Sequence, residues 1–414
     1  MIKNILISSL LLLTIAGFAQ QGTSSPYSYY GIGDLKFNGT VDTRAMGGLG
    51  IMTDSIHLNL QNPAALPSLK LTNYLLGGTY NATTIKNSSA SEKARTASLD
   101  YMALAFPIGK FGFSFGLMPY SSVGYKIRKT EPTRNSNYTG SGNLNKAFLA
   151  TGYQITPKWS VGAEFGYQFG LTETNASVFL TNPAAQFGSR ELNTSELSGV
   201  RFNTGTIYKT KFKKFDIISS ITYTPGSTLK SNNTRNIAKI ITNFAGNELV
   251  VDSRDVNIND ADLKMPSRFA FGSGIGLIKK WFVGFESSFQ QSRDFPVQIS
   301  PTAVASYQEA TKFVVGGYYI PNYNSFTNYF NKVTYRAGLR FENTGLVING
   351  QAINDSALTF GCGLPLGGSF SNINVGVELG KKGTTQSNLI QENYVNMSIG
   401  FSFNDKWFVK RKYD

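Results

Sequence analysis

The chain has 414 residues, of which only 15% are charged, and carries 42 glycines, 30 phenylalanines and 21 tyrosines. A single cysteine, Cys362, excludes an intramolecular disulfide framework, and a single histidine, His57, removes catalytic and metal-site schemes that need two or more imidazoles. A formal charge of +14 would suggest nucleic acid as a partner inside a cell, but the first residues argue for export, which leaves lipids and acidic proteins as expected partners and no nucleic acid.

Met1-Ile2-Lys3-Asn4 is a short basic start, Ile5 to Ile15 an apolar core, and Gly17-Phe18-Ala19 a small-x-small cleavage site. This pattern predicts a signal peptide over 1–19, because a spanning helix needs about 20 apolar residues. Cysteine is absent after the cleavage site, so no lipid anchor is expected there.

Residues 20–70 lack regular alternation and are rich in Gly, Asn, Tyr and small residues. In a free tail, Ala45-Met46-Gly47-Gly48-Leu49-Gly50-Ile51 would lie in water. The expectation is therefore an N-terminal plug seated inside a barrel.

From 71 to 403 the dominant feature is alternation. Trp159, Val161, Ala163, Phe165, Tyr167, Phe169 and Leu171 alternate with Ser160, Gly162, Glu164, Gly166, Gln168 and Gly170, and Val395 to Phe403 repeats the pattern. In a transmembrane barrel the apolar face meets lipid and the polar face lines the lumen. This predicts an all-β, antiparallel transmembrane barrel of about fourteen strands, its strands falling near 71–85, 97–108, 111–127, 142–155, 159–177, 195–212, 215–231, 263–278, 281–292, 311–320, 332–343, 355–365, 371–380 and 392–403. Tight turns fall at Gly109-Lys110, Thr156-Pro157-Lys158, Lys213-Lys214, Lys279-Lys280 and Gly367-Gly368. The other connections read as longer polar loops, notably Arg128 to Ser141, Phe179 to Thr194 and Asn232 to Asp262. Short turns belong on the periplasmic side, with Pro321 to Asn331 as one longer exception, and both chain ends then lie there. Residues 404–414 read as a basic periplasmic tail.

The polar register collects charge at Glu164, Glu286, Arg336, Arg340, Glu342 and Glu378, which should face the lumen and pair with plug residues such as Arg44, Asp34 and Asp42. The basic turns and Lys410-Arg411-Lys412 would sit beside acidic headgroups, with Trp407 and Phe408 suited to the interface. Gly272-Ser273-Gly274-Ile275-Gly276 repeats glycine with period two and reads as barrel wall, not as a phosphate loop. With no Walker sequence, nucleophile elbow or metal-ligand cluster, neither an enzyme nor a cofactor is expected.

Arg44-Ala45-Met46-Gly47-Gly48-Leu49-Gly50-Ile51, followed by Gln61-Asn62-Pro63-Ala64-Ala65-Leu66, resembles the N-terminal hatch of the FadL family of outer-membrane transporters. Lys264-Met265-Pro266-Ser267-Arg268-Phe269 and Thr334-Tyr335-Arg336-Ala337-Gly338-Leu339 are similar to strand openings of that family. The resemblance covers most of the mature chain. It implies fourteen strands, a plug held by Arg44, Asn62, Pro63 and Ala64, and an outer-membrane channel that takes up a hydrophobic small molecule such as a long-chain fatty acid. In that family solute leaves sideways through a kink in the third strand. Pro119 interrupts the matching strand here, and proline cannot donate to a ladder, so Pro119 is the candidate lateral gate. Two features depart from the family: a basic tail follows Phe403, and no hydrophobic collecting groove is evident. They keep open a second expectation, a noncatalytic barrel subunit of an outer-membrane secretion or assembly machine with a periplasmic or outer-membrane protein partner.

Overall fold

The computed structural model describes residues 22–181, 187–242, 248–295, 304–367 and 370–406. The signal peptide expected over 1–19 and the tail from Trp407 onward lie outside these residues. Among the described residues the strands form one closed, antiparallel barrel of fourteen strands.

The first six wall strands are β2 (Thr72–Lys86), β3 (Ser91–Ile108), β4 (Phe111–Glu131), β5 (Arg134–Gln154), β6 (Trp159–Leu180) and β7 (Gly188–Phe212), preceded by the short β1 (Asp34–Leu35). The seventh wall position is shared by β8 (Phe215–Thr224) and β9 (Ser227–Thr242), and the eighth by β10 (Glu248–Val256), β11 (Ala261–Met265) and β12 (Arg268–Leu277). Next come β13 (Trp281–Gln290), β14 (Ala305–Tyr307) with β15 (Ala310–Tyr319), β16 (Thr334–Ile348), β17 (Gln351–Pro365), β18 (Asn372–Gly383) and β19 (Gln391–Asp405). β19 pairs with β2 from Gln391↔Lys86 to Asp405↔Thr72, which closes the barrel.

Period-two patterning sets the faces. On β6, Phe165, Tyr167, Phe169 and Leu171 are exposed on the outside, while Glu164, Gly166 and Gln168 are buried inside. Lys213 and Lys279 adopt positive φ in the two-residue turn that precedes β8 and the three-residue turn that precedes β13.

The strands run longer than their alternation suggests. Arg128 to Ser141, expected as a loop, is continuous β4–β5 ladder, with Glu131 opposite Arg134. Within Phe179 to Thr194, Phe179 to Leu180 and Gly188 to Thr194 are strand, and β9, β10 and β11 occupy most of Asn232 to Asp262. Residues 344–354, also read as a connection, narrow to a turn at Asn349 and Gly350. The physical reason is common to all four. Beyond the apolar band neither face requires a fixed pattern, so the alternation lapses while the backbone ladder continues: Thr, Ser and Asn dominate both faces over 135–141, and apolar residues follow one another over 178–180, 249–251 and 346–348. The sequence reading of Pro321 to Asn331 as a longer irregular connection matches a stretch containing only the 3-10 turn Tyr329–Asn331.

Residues 22–70 pack against the inward-facing wall. Besides β1, its regular elements are a short helix α1 (Val41–Arg44) and the 3-10 turns Pro26–Tyr29 and Pro63–Ser68, and Val41, Leu49, Ile51, Leu58 and Leu66 are almost fully buried. Leu66 clusters with Ala103, Ala105, Phe148 and Ala150 of the wall, and Leu49 and Ile51 with Ile207, Ile218, Phe282 and Val314. Part of the inner face is therefore apolar, because it meets protein and not water.

Candidate functional site

The Asn-Pro-Ala motif sits where β4 to β7 approach their short turns. Asn62 caps the 3-10 turn: its Oδ1 accepts from the Ala64 N–H at 3.0 Å, while its own N–H donates to Asn59 Oδ1 at 3.1 Å. Pro63 occupies the first turn position, where its fixed φ suits the turn and its missing N–H costs nothing. Ser160 Oγ donates to the Ala64 carbonyl at 2.8 Å, and Asn203 Nδ2 to the Gln61 carbonyl at 3.2 Å. Inward glycines make room: a Cβ on Gly162 would lie 2.4 Å from the Pro63 carbonyl carbon, and one on Gly112 2.5 Å from that of Leu66.

Beyond this seat the lumen is a field of ion pairs. Arg44 projects from α1, donates to Thr79 Oγ1 at 2.5 Å and Ser398 Oγ at 3.2 Å, pairs with Asp100 at 3.4 Å and lies over the Phe37 ring. Asp34 pairs with Lys382 at 2.6 Å. Glu286 accepts from the backbone N–H of Gly50 at 2.8 Å. Asp42 is buried on α1. In the segment outside the wall strands, Asp54 pairs with His57 at 2.5 Å. Burial opposes charge on both, yet His57 holds Asp54 at about 2 and Asp54 raises His57 above its ordinary value.

The remaining expected wall charges bond mainly to the wall. Glu164 pairs with Lys146 at 2.9 Å, and Arg336 donates to Asn374 Oδ1 at 3.0 Å. Arg340 lies 2.6 Å from Glu378, 3.0 Å from Asp355 and 4.0 Å from Glu342, and also donates to the Tyr394 hydroxyl at 2.9 Å. The expectation that these groups pair chiefly with the N-terminal segment is thus corrected: Glu286 does so, whereas Glu164, Arg336, Arg340 and Glu378 bond to side chains one or two wall strands away and Glu342 meets Arg340 on its own strand. Register explains it, since inward residues on one strand and on strands one or two places apart come within reach of long side chains.

Sequence reasoning missed Asp100, Lys146, Asp355 and Lys382. Lys146 is flanked inside by Leu144 and Phe148, which breaks the rule that the inner face is polar. Lys382 and Asp355 fall in or beside stretches read as connections.

A cavity of about 330 Å³ lies between residues 33–38 and the inward faces of β2, β3 and β15 to β19, with Arg44, Asp100, Lys312, Arg340, Asp355, Glu378, Lys382 and Glu392 among its lining. It reaches a seam in the wall. The β3–β4 ladder runs only from Ile108↔Phe111 to Met102↔Leu117. Beyond that point β3 continues along β2 as far as Ser91, and β4 along β5 as far as Glu131, with no β3–β4 pairing among the described residues. Pro119 lies two residues past the end of the shared ladder, beside a register shift between Pro119 and Ser121. β1 fills part of the gap, pairing Leu35 with Ser121 and Asp34 with Ser122, and the Lys36 N–H donates to the Tyr120 carbonyl at 2.9 Å. Gly33, at φ +97°, allows this approach, because a Cβ there would lie 2.5 Å from the Ser122 carbonyl oxygen. Leu35 is 48% exposed at the seam.

Solved structures share this fold at low sequence identity. The toluene transporter TodX of Pseudomonas putida matches with 17% identity over 90% of this chain and 99% of its own, at a TM-score of 0.57. A FadL homologue of Pseudomonas aeruginosa matches with 12% identity over 89% and 98%, at 0.59. The toluene transporter TbuX of Ralstonia pickettii matches with 14% identity over 89% and 99%, at 0.57. The fold is that of FadL-like outer-membrane channels. No curated protein sequence matches the chain. The sequence model of one family matches it from end to end, residues 1–414, and the chain accordingly belongs to the BamG family.

Proposed function

We propose that this protein is a noncatalytic barrel subunit of an outer-membrane assembly or secretion machine, closed by residues 22–70 acting as a plug. The observation that carries this reading is β10. A strand crossing a bilayer needs about 9–11 residues, whereas β6 and β7 have 22 and 25, so the wall between them and β9–β10 stands well clear of lipid. At its far end, β10 pairs with β9 along one side only among the described residues, and its Leu249, Val250 and Val251 are all exposed. Leu180 and Phe187 are exposed nearby, one residue beyond the row that joins Gly188, Ile240 and Val250. A free apolar edge strand in water is a template for pairing with another chain. The charged lumen agrees, because an apolar solute would strip water from groups such as Lys312 with no compensating bond.

Replacing Leu249, Val250 and Val251 together with Ser should leave the barrel folded. It should lower the amount of protein that co-purifies from native membranes in mild detergent by about tenfold or more, as expected for loss of a buried apolar anchor. A stoichiometric complex that survives this change, or none with the unaltered chain, refutes the proposal.

The seam favours a second reading, a channel for a hydrophobic compound with lateral release. In that case Pro119→Val, which restores an N–H and a strand-favouring residue, should lower uptake of a labelled long-chain fatty acid while barrel abundance holds or rises. Unchanged uptake at normal abundance removes Pro119 as a gate.

A further inference from the structure

The outer surface carries a hollow of about 790 Å³ that spans β3, β2, β19, β18, β17 and β16. Barrel walls are convex, so a concavity on the outside has a local cause. Register supplies it: across these strands one outward row reads Arg95, Ala82, Val395, Leu379, Leu358, Leu339, and the next row toward the long-strand end reads Lys93, Thr84, Asn393, Lys381, Ser356, Phe341. Small residues, Ala82 and Thr84, form the floor beside larger apolar side chains. The cations lie along the rim. Lys93, Arg95 and Lys381 make no ion pair or side-chain hydrogen bond among the described residues, and neither row contains a carboxylate.

The geometry points to a phosphorylated glycolipid of the outer leaflet, its acyl chains on Val395, Leu379 and Leu358 and its phosphates on Lys93, Arg95 and Lys381. We propose this hollow as a lipid site; it rests on the long-strand end facing outward. Charge complementarity selects the ligand class. Three strand spacings of about 4.8 Å separate Lys93 on β3 from Lys381 on β18, roughly 14 Å in all. A headgroup with two separated phosphates spans the cations better than a phospholipid with one. The apolar residues Val395, Leu379 and Leu358, in the row directly below Lys93 and Lys381, are where acyl chains begin.

The test is to purify the full chain from native outer membranes in mild detergent and quantify bound diphosphorylated lipid A by mass spectrometry. The unaltered chain should carry about one equivalent, by the single-hollow geometry and the salt-dependent attraction of cations for phosphate. Two variants, Lys93→Gln/Arg95→Gln/Lys381→Gln and the hollow-filling Ala82→Trp, should each retain less than about a tenth of it, the loss expected when charge pairing or packing is removed. Folding is checked by the heat-dependent gel shift of the barrel. A photo-crosslinker at Thr84 should capture lipid in intact cells. Full retention by either folded variant, preference for singly phosphorylated phospholipid, or a protein adduct at Thr84 overturns the proposal. The β10 variant should keep its lipid, which separates failure of this inference from failure of the partner-docking reading.

Discussion

Replacing Arg340 with Leu should cost about 3–5 kcal/mol, the range for removing one partner of a buried ion pair and leaving the other charged. Glu378 and Asp355 lie within 3.0 Å of this guanidinium, and both side chains are largely withdrawn from solvent. Without Arg340 they face one another and the Tyr394 hydroxyl inside the barrel. Lowered barrel abundance and a lower urea midpoint are the expected readouts. A triple variant, Arg340→Leu with Glu378→Gln and Asp355→Asn, should recover most of the loss, since removing the whole charged group is often close to neutral. Equal midpoints for the original chain and Arg340→Leu would show that the cluster is not a stabilising element.

The second large effect concerns the seat of the N-terminal segment. Asn62→Ala with Pro63→Ala removes a capping acceptor, worth about 0.5–2 kcal/mol, and frees the φ that proline holds. Cells carrying this variant should become several-fold more sensitive to large hydrophilic antibiotics at unchanged barrel abundance, or the folded barrel should fall. Gly162→Val attacks the same contact from the wall, because its added Cβ meets Pro63 backbone at 2.4 Å. It should reproduce the phenotype with the motif intact. Normal permeability and abundance in both variants would mean that this segment does not close the lumen.

Much of the architecture was legible before any coordinates. Alternation on β6 and β19 identified which residues face out, and the short turns at Lys213-Lys214 and Lys279-Lys280 are where the reading put them. The Asn-Pro-Ala turn was legible for a local reason: capping and proline geometry act within three residues. Strand ends were not. The extensions of β4 to β7 and the β9–β10 pair lack period-two alternation, because Thr, Ser and Asn lie on both faces, as over 135–141, or apolar residues follow one another, as over 249–251, and ladder hydrogen bonds between backbones leave no side-chain signature.

Sequence alone thus determined the barrel and its inside and outside, because a period-two pattern between lipid and a polar interior records each residue's environment in its chemistry. The tertiary structure decided the partners. Arg44 meets Asp100, Asp34 meets Lys382 and Arg340 meets Glu378 because closure of β19 on β2 and insertion of residues 22–70 bring distant registers together. It also decided the seam, since the ladder between β3 and β4 stops at Met102↔Leu117 although both strands continue. Pro119 marks the neighbourhood in the sequence, but where the two edges part depends also on β1 taking the vacated edge of β4 beside the register shift between Pro119 and Ser121.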